Sequence, residues 1–125
     1  MAEKYLNNGI MSGKRGIIMG VANERSIAWG IAAAAAEQGA EIAFTYQGDA
    51  LEKRVRPLAE SIGSDIVIPC DVSSDTAIDQ TFITLKEKWD TIDFVVHAIA
   101  YSDKEELKGD YMDTSRGNFN TTMDI

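Results

Sequence analysis

A glycine, a hydroxyl residue and an alanine stand in the stretch Gly20-Val21-Ala22-Asn23-Glu24-Arg25-Ser26-Ile27-Ala28, after the apolar run Gly16-Ile17-Ile18-Met19 and before the alanine run Ala32 to Ala36. A strand that runs into a glycine, then a short polar loop, then a helix starting at Ser26, makes a cradle for a nucleotide pyrophosphate. The first N–H groups of a helix have no backbone partner, and the aligned peptide dipoles leave partial positive charge there. Phosphate is held at such an end without a lysine. Gly20 lets the backbone turn sharply and approach a ligand closely. Ser26 serves either as the helix cap or as a hydroxyl turned toward phosphate. Ala28 and the alanine run keep the helix thin against a sheet. The loop departs from G-x-G-x-x-G, with small non-glycine residues where the second and third glycines fall. An ordinary strand-turn-helix with a serine cap is the competing reading of the same residues.

These residues need a scaffold, and the apolar pattern supplies one. The runs GIIMG, EIAFTY, IVIPC and DFVVHAIA begin near residues 16, 41, 66 and 93, with room for one helix in each gap. Short, nearly continuous runs of this kind are expected of parallel strands covered on both faces. Leu51, Val55, Leu58 and Ile62 repeat at helical spacing, as do Ile78, Phe82, Leu85 and Trp89, giving each helix one apolar stripe for the sheet. Gly39 and Gly63 fall where helices end. Pro57 is expected to kink or loosen the second helix, because it removes a donor. Strict alternation gives an α/β doubly wound parallel sheet. No linker or second domain is visible in the 125 residues, a length that fits one domain.

The chain is 45% hydrophobic and 26% charged, as in ordinary globular proteins. Its net charge of -8 argues against nucleic acid or an anionic membrane as partner. The basic cluster Lys53-Arg54-Val55-Arg56 reads as a solvated helix face. No stretch reaches the length of a membrane span, and the N-terminal MAEKYLNNGIMSGKR lacks an apolar signal core. The cytoplasm is therefore the expected location. Cys70 is the single cysteine, which excludes an internal disulfide and a cysteine-based metal cluster; no metal is expected. At the end of an apolar strand, its thiol is expected to be buried and inert.

Ligands of doubly wound sheets lie beyond the carboxyl ends of the strands. There the chain has Gly20, then Tyr46-Gln47-Gly48-Asp49, then Asp71-Val72, then Ala98-Ile99-Ala100. Gln47 suits ribose hydroxyls, and Asp49 would repel a 2′-phosphate, which favours NADH over NADPH. Lys53 and Arg54, one helical turn on, keep NADPH open. Asp71 fits either an acceptor for the adenine amino group or a turn and cap residue before Ser73-Ser74. His97, on a strand read as buried, is expected to be a hydrogen-bonded core residue rather than a base.

Taken together, several segments carry a resemblance. Ser12-Gly13-Lys14-Arg15, Gly20-Val21-Ala22, Ser26-Ile27-Ala28, Ala43-Phe44-Thr45-Tyr46-Gln47, Gly63-Ser64-Asp65-Ile66-Val67, Cys70-Asp71-Val72 and His97-x-Ile99 resemble the bacterial enoyl-acyl carrier protein reductases. These are divergent short-chain dehydrogenases/reductases with an NAD(P)-binding Rossmann fold, and Gly-x5-Ser-x-Ala is their variant of the glycine loop. The resemblance runs from about Ser12 to Ile125. It implies reduction of the trans-2 double bond of an acyl chain on its carrier protein in fatty acid biosynthesis, with NADH or, in some members, NADPH, by a homotetramer. It also implies cofactor contacts at Gly20, Ala22, Ser26, Ile27, Gln47, Asp71, Val72, Ala98, Ile99 and Ala100, and a substrate contact at Ser102. Ala98 and Ala100 stand where many members have Ser and Gly, and both keep the position small.

The chemistry implied by the resemblance needs a tyrosine donor at the developing enolate oxygen and a lysine seven residues later, on a helix after a fifth strand. Neither has a counterpart up to Ile125. The chain is thus expected to be the N-terminal part of a single domain, truncated after the fourth strand, inactive alone and left with an exposed sheet edge. Tyr101 and Lys108 share the spacing, but they lie in Tyr-Ser-Asp-Lys-Glu-Glu-Leu-Lys-Gly, a charged segment without a long helical pattern. They are not expected to be the catalytic pair. Two other classes compete. A receiver-type signalling domain would be phosphorylated on Asp71, yet it needs an acidic pair for Mg²⁺ after the first strand, where this chain has Gly20-Val21-Ala22. A non-catalytic nucleotide-binding module would keep the cradle without the chemistry.

Overall fold

The computed structural model describes residues 9–125; the absence of a signal core, as it concerns residues 1–8, falls outside them. The elements are β1 (Arg15–Met19), α1 (Ile27–Glu37), β2 (Glu41–Tyr46), α2 (Asp49–Ser61), β3 (Val67–Pro69), α3 (Asp75–Lys88), β4 (Phe94–His97) and α4 (Arg116–Asp124). Single 3-10 turns at Lys104–Leu107 and Tyr111–Asp113 lie between β4 and α4. All strand pairs are parallel, in the order β3-β2-β1-β4. β1 is therefore central, and its register places Ile17 beside Ala43 and Val95, and Ile18 beside Phe44 and Val96.

Successive residues of a strand point to opposite faces, so neighbouring isoleucines of β1 feed two separate cores. Ile18, Ile42 and Phe44 pack with Ala28, Ala32 and Ala36 of α1 and Val55 and Ala59 of α2. On the other face Ile17, Met19, Ala43 and Ile68 pack with Leu85 of α3 and with Trp89. The alanine stripe brings α1 close to the sheet, as its composition predicts. Gly39 and Gly63 follow their helices with φ of 94° and 80°, values that glycine adopts without a Cβ penalty.

Two expectations are corrected, and Pro57 is placed. α2 runs from Asp49 to Ser61 with Pro57 inside it. Pro57, Lys53 and Arg54 are all exposed, so the carbonyl deprived of its donor lies on the solvated side. In α3 the expected stripe residue Phe82 is 37% exposed, and Thr81 is buried instead. The Thr81 hydroxyl donates to the Ala77 carbonyl at 2.9 Å, which satisfies its polar atom inside the helix. In β4, Phe94 and Val96 pack against the α1 side, but Val95 and His97 are exposed. Among the described residues His97 is therefore exposed and not the hydrogen-bonded core residue expected. β4 is the edge strand of the described sheet, and the opposite core draws its strand residues from β1, β2 and β3.

Among the described residues, no helix is long and apolar enough to cross a membrane. The α3 register gives a direct test in the full-length polypeptide. Leu85→Ala, at a fully buried position, is expected to lower unfolding free energy by about 2–5 kcal/mol, and Phe82→Ala by a smaller amount, about 1–2 kcal/mol. Urea denaturation of the two variants measures both, and a reversed ranking refutes the packing described.

Candidate functional site

The end of β1 is fixed by a contact that only glycine permits. Gly20 has φ 117°, and a Cβ on it would strike the Ala98 carbonyl just past β4. The two strand ends are tied there by Ala98 N–H donating to Met19 O at 2.9 Å. Gly20 thus makes room for the backbone of a neighbouring strand, where the sequence had pointed to a sharp turn and ligand approach.

The loop after Gly20 is folded onto Ser26. Ser26 Oγ accepts from Ala22 N–H at 2.9 Å and from Asn23 N–H at 3.1 Å, and Asn23 Oδ1 accepts from Arg25 N–H at 2.8 Å. Ser26 makes no side-chain cap bond to α1, which decides against its capping role. The first in-helix bond at this end is Gly30 N–H to Ser26 O at 3.2 Å. The N–H groups of Ile27, Ala28 and Trp29 stand before it, with positive dipole character. Ile27 itself is exposed and lies at the mouth of the loop.

Beside this loop a cleft of about 210 Å³ opens at the carboxyl ends of all four strands. β1 contributes Gly20 and Ala22, β2 contributes Gln47, β3 contributes Val72, and β4 contributes Ala98, Ile99 and Ala100. The structure therefore brings together seven of the residues expected there. Asp71 joins them through Gln47, whose Nε2 donates to Asp71 Oδ2 at 3.2 Å. Ser26 and Ile27 flank the cleft without lining it, and Ser102 borders a separate hollow beside α4. The sequence reading missed Val21, Thr45, Leu51 and Cys70, which also line the cleft. Cys70 is buried, as expected. Leu51 had been read as part of a core stripe, and it stands at the start of α2, where that stripe meets the strand ends.

Charge in the cleft is set by hydrogen bonds. Asp71 Oδ1 accepts from Ser73 Oγ at 2.6 Å and from Ser73 N–H at 2.9 Å, which holds its carboxyl below the usual aspartate range. The turn role of Asp71 is thus realised, with Oδ2 facing Gln47. Burial pushes the Tyr46 hydroxyl up, helped by the negative charge and hydrogen bond of Glu52. Glu52 is held down chiefly by its hydrogen bond from Arg56, at 2.8 Å. Tyr101 is exposed and Lys108 pairs with Glu105 at 3.1 Å; neither lines the cleft. Among the described residues, no group of three or more His, Cys, Asp or Glu side chains converges to hold a metal ion.

A parallel sheet in this order, with its cleft between the diverging β1 and β4 connections, defines a Rossmann-type α/β protein. A family model described as Enoyl-(Acyl carrier protein) reductase matches residues 20–125. The chain belongs to this family. It is 65% identical over 118 residues to enoyl-[acyl-carrier-protein] reductase [NADH] 1 of Rhizobium meliloti, a match covering 94% of this chain and 43% of that protein. The crystal structure of the NADH enoyl-[acyl-carrier-protein] reductase of Aquifex aeolicus superposes with a TM-score of 0.91 at 53% identity, over 94% of this chain and 46% of that one. The Anaplasma phagocytophilum reductase, solved in complex with NAD, gives 0.89 at 55% identity, over 96% and 46%. This chain spans under half the length of the relatives it matches.

The Asp71–Ser73 pair carries a pH signature. A carboxyl held down in the folded state binds fewer protons there than in the unfolded chain, so its stabilisation is complete above the ordinary aspartate pKa and fades as pH falls through the lowered value. Ser73→Ala is expected to destabilise the full-length polypeptide more at pH 6 than at pH 3. Urea midpoints at the two pH values check this, and a gap that widens on acidification refutes it.

Proposed function

We propose that residues 1–125 are the N-terminal, cofactor-binding part of one dinucleotide-binding domain in an NADH-dependent enoyl-acyl carrier protein reductase. The complete polypeptide, on this reading, reduces the trans-2 double bond of an acyl chain on its carrier protein. The observation that carries the proposal is the cleft at the four strand ends, set beside a helix start that no side chain caps.

The residues fit the group. Gly20 presents no side chain, and the N–H groups at the start of α1 together with the Ser26 hydroxyl suit a pyrophosphate. Gln47 and Asp71 offer acceptors to the ribose hydroxyls and the adenine amino group, with Val72 and Leu51 as apolar walls. Ala98, Ile99 and Ala100 leave room for a flat ring at the β4 end. The nicotinamide, when bound, supplies the hydride. Ser102 stands on the substrate side, and the tyrosine and lysine of the reaction belong to a Tyr-x6-Lys helix after a fifth strand. Homotetrameric assembly follows from the family resemblance alone, and a cytoplasmic location is the expectation from a sequence without a membrane span or signal core.

Preference for NADH has its own support. Lys53 and Arg54 line a different hollow with Asn23 and Glu24, while the cleft side of the β2 end shows Gln47 backed by the Asp71 carboxylate. A 2′-phosphate there meets negative charge.

Two measurements on the full-length polypeptide test the reading. NADH oxidation with a short trans-2-enoyl thioester is expected, with kcat/KM roughly tenfold or more above that with NADPH, the scale of one unfavourable charge contact. No turnover sinks the activity, and a preference for NADPH shows that Lys53 or Arg54 outweighs the carboxylates. Gly20→Ala is expected to weaken NADH binding by at least about tenfold, since a Cβ forces the two strand ends apart. Fluorescence titration with NADH reads the change, and unaltered affinity breaks the link between this turn and the cofactor.

A further inference from the structure

Among the described residues, the segment following the cleft-lining residues of β4 has little apolar anchorage. Tyr101, Leu107, Tyr111 and Met112 are each more than half exposed. Hydrogen bonds converging on the first turn of α4 hold it instead. Asn118 Oδ1 accepts from Asp103 N–H at 2.9 Å, and Asn118 Nδ2 donates to Ser102 Oγ at 3.1 Å. One amide thereby grips two successive residues. A second strap closes beside it: the Glu106 carboxylate accepts from Ser115 N–H at 2.6 Å and from Ser115 Oγ at 2.8 Å. Ser115 Oγ in turn accepts from Asn118 N–H at 3.1 Å, capping α4. Asp103 Oδ1 accepts from Glu105 N–H at 2.9 Å and starts the intervening 3-10 turn. Ser102, Glu106 and Asn118 are half-buried in a segment otherwise mostly exposed.

We infer that Asn118 is a positioning residue for the substrate side of the site: it fixes Ser102 and the Asp103 backbone beside it, without lining the cleft itself. The inference rests on the reductase reading above, in which Ser102 meets the substrate. Chemistry favours an amide for this task. Asn118 donates to Ser102 Oγ, so the serine keeps its own proton for an acceptor on the substrate. The same amide accepts from Asp103 N–H and so locks the backbone next to that serine. Glu106 acts one step further back, because it holds the helix turn from which Asn118 projects.

The test uses Asn118→Ala and Glu106→Ala in the complete polypeptide, with three readouts. Backbone hydrogen exchange over residues 101–108 is expected to be roughly tenfold faster in Asn118→Ala, as loss of one or two net hydrogen bonds implies. The KM for an enoyl thioester is expected to rise by about the same factor, while NADH affinity stays within about twofold. Glu106→Ala moves the first two readouts in the same direction by a smaller factor. Unchanged exchange in Asn118→Ala overturns the inference. So does a fall in NADH affinity parallel to the rise in KM, which marks a general structural role. If the unaltered protein fails to reduce enoyl thioesters, the reductase reading fails, and the exchange measurement alone still decides whether Asn118 holds the loop.

Discussion

The carbonyl oxygen of Ala98 leaves no room for a side chain at residue 20, and the site depends on that closeness. β1 and β4 are neighbours in the sheet, yet their connections leave in different directions, β1 toward α1 and β4 toward α4. Such a divergence opens a crevice in any doubly wound sheet. Here the two strand ends are drawn together at Gly20, so the crevice is narrow at its base and framed by backbone. Ser26 then folds the loop back by accepting two of its amides. The helix start is left without a side-chain cap because the residue best placed to cap it is occupied.

The rest of the fold holds this turn rigid. β1 is buried on both faces, with Ile17 and Ile18 serving different cores. A shift of that strand would have to disturb two helical layers at once, and close-packed interiors resist that. α1 approaches through alanines, so little flexible side-chain material separates its first turn from the sheet. On the rim, Gln47, Asp71 and Ser73 form a short polar chain that gives the β2 and β3 ends a shared negative edge.

Much of this was legible in the sequence, and the omissions have physical causes. The strand-helix alternation, the helix-ending glycines and the alanine face of α1 follow from local patterning, which reports periodicity and small size directly. Thr81 escaped notice because its hydroxyl is satisfied by its own helix; type alone does not reveal this. The exposure of His97 was not legible because a run of apolar residues does not say which strand lies at the edge of the described sheet. Of the cleft lining, residues at strand ends were legible, since position along a parallel strand decides them. Thr45, Leu51 and Cys70 were not, because they depend on which side chains of neighbouring elements close the cleft. Asn118, fifteen or more positions from the residues it holds, leaves no local pattern at all.

The strand order also bears on how the chain reaches this structure. β1, β2 and β3 are joined successively through α1 and α2, so their pairings close short loops. β4 pairs back to β1 across a far longer stretch, and the Arg15–Asp93 hydrogen bond at its foot spans 78 positions. Contacts of such separation carry the larger loop-closure cost and form after local ones have lowered it. The β1–β4 pairing is thus the costliest closure among the described strands. Since Ala98, Ile99 and Ala100 follow β4, the cleft is not contained in the locally connected β1–β2–β3 unit; it exists only where the longest-range pairing of the sheet is made.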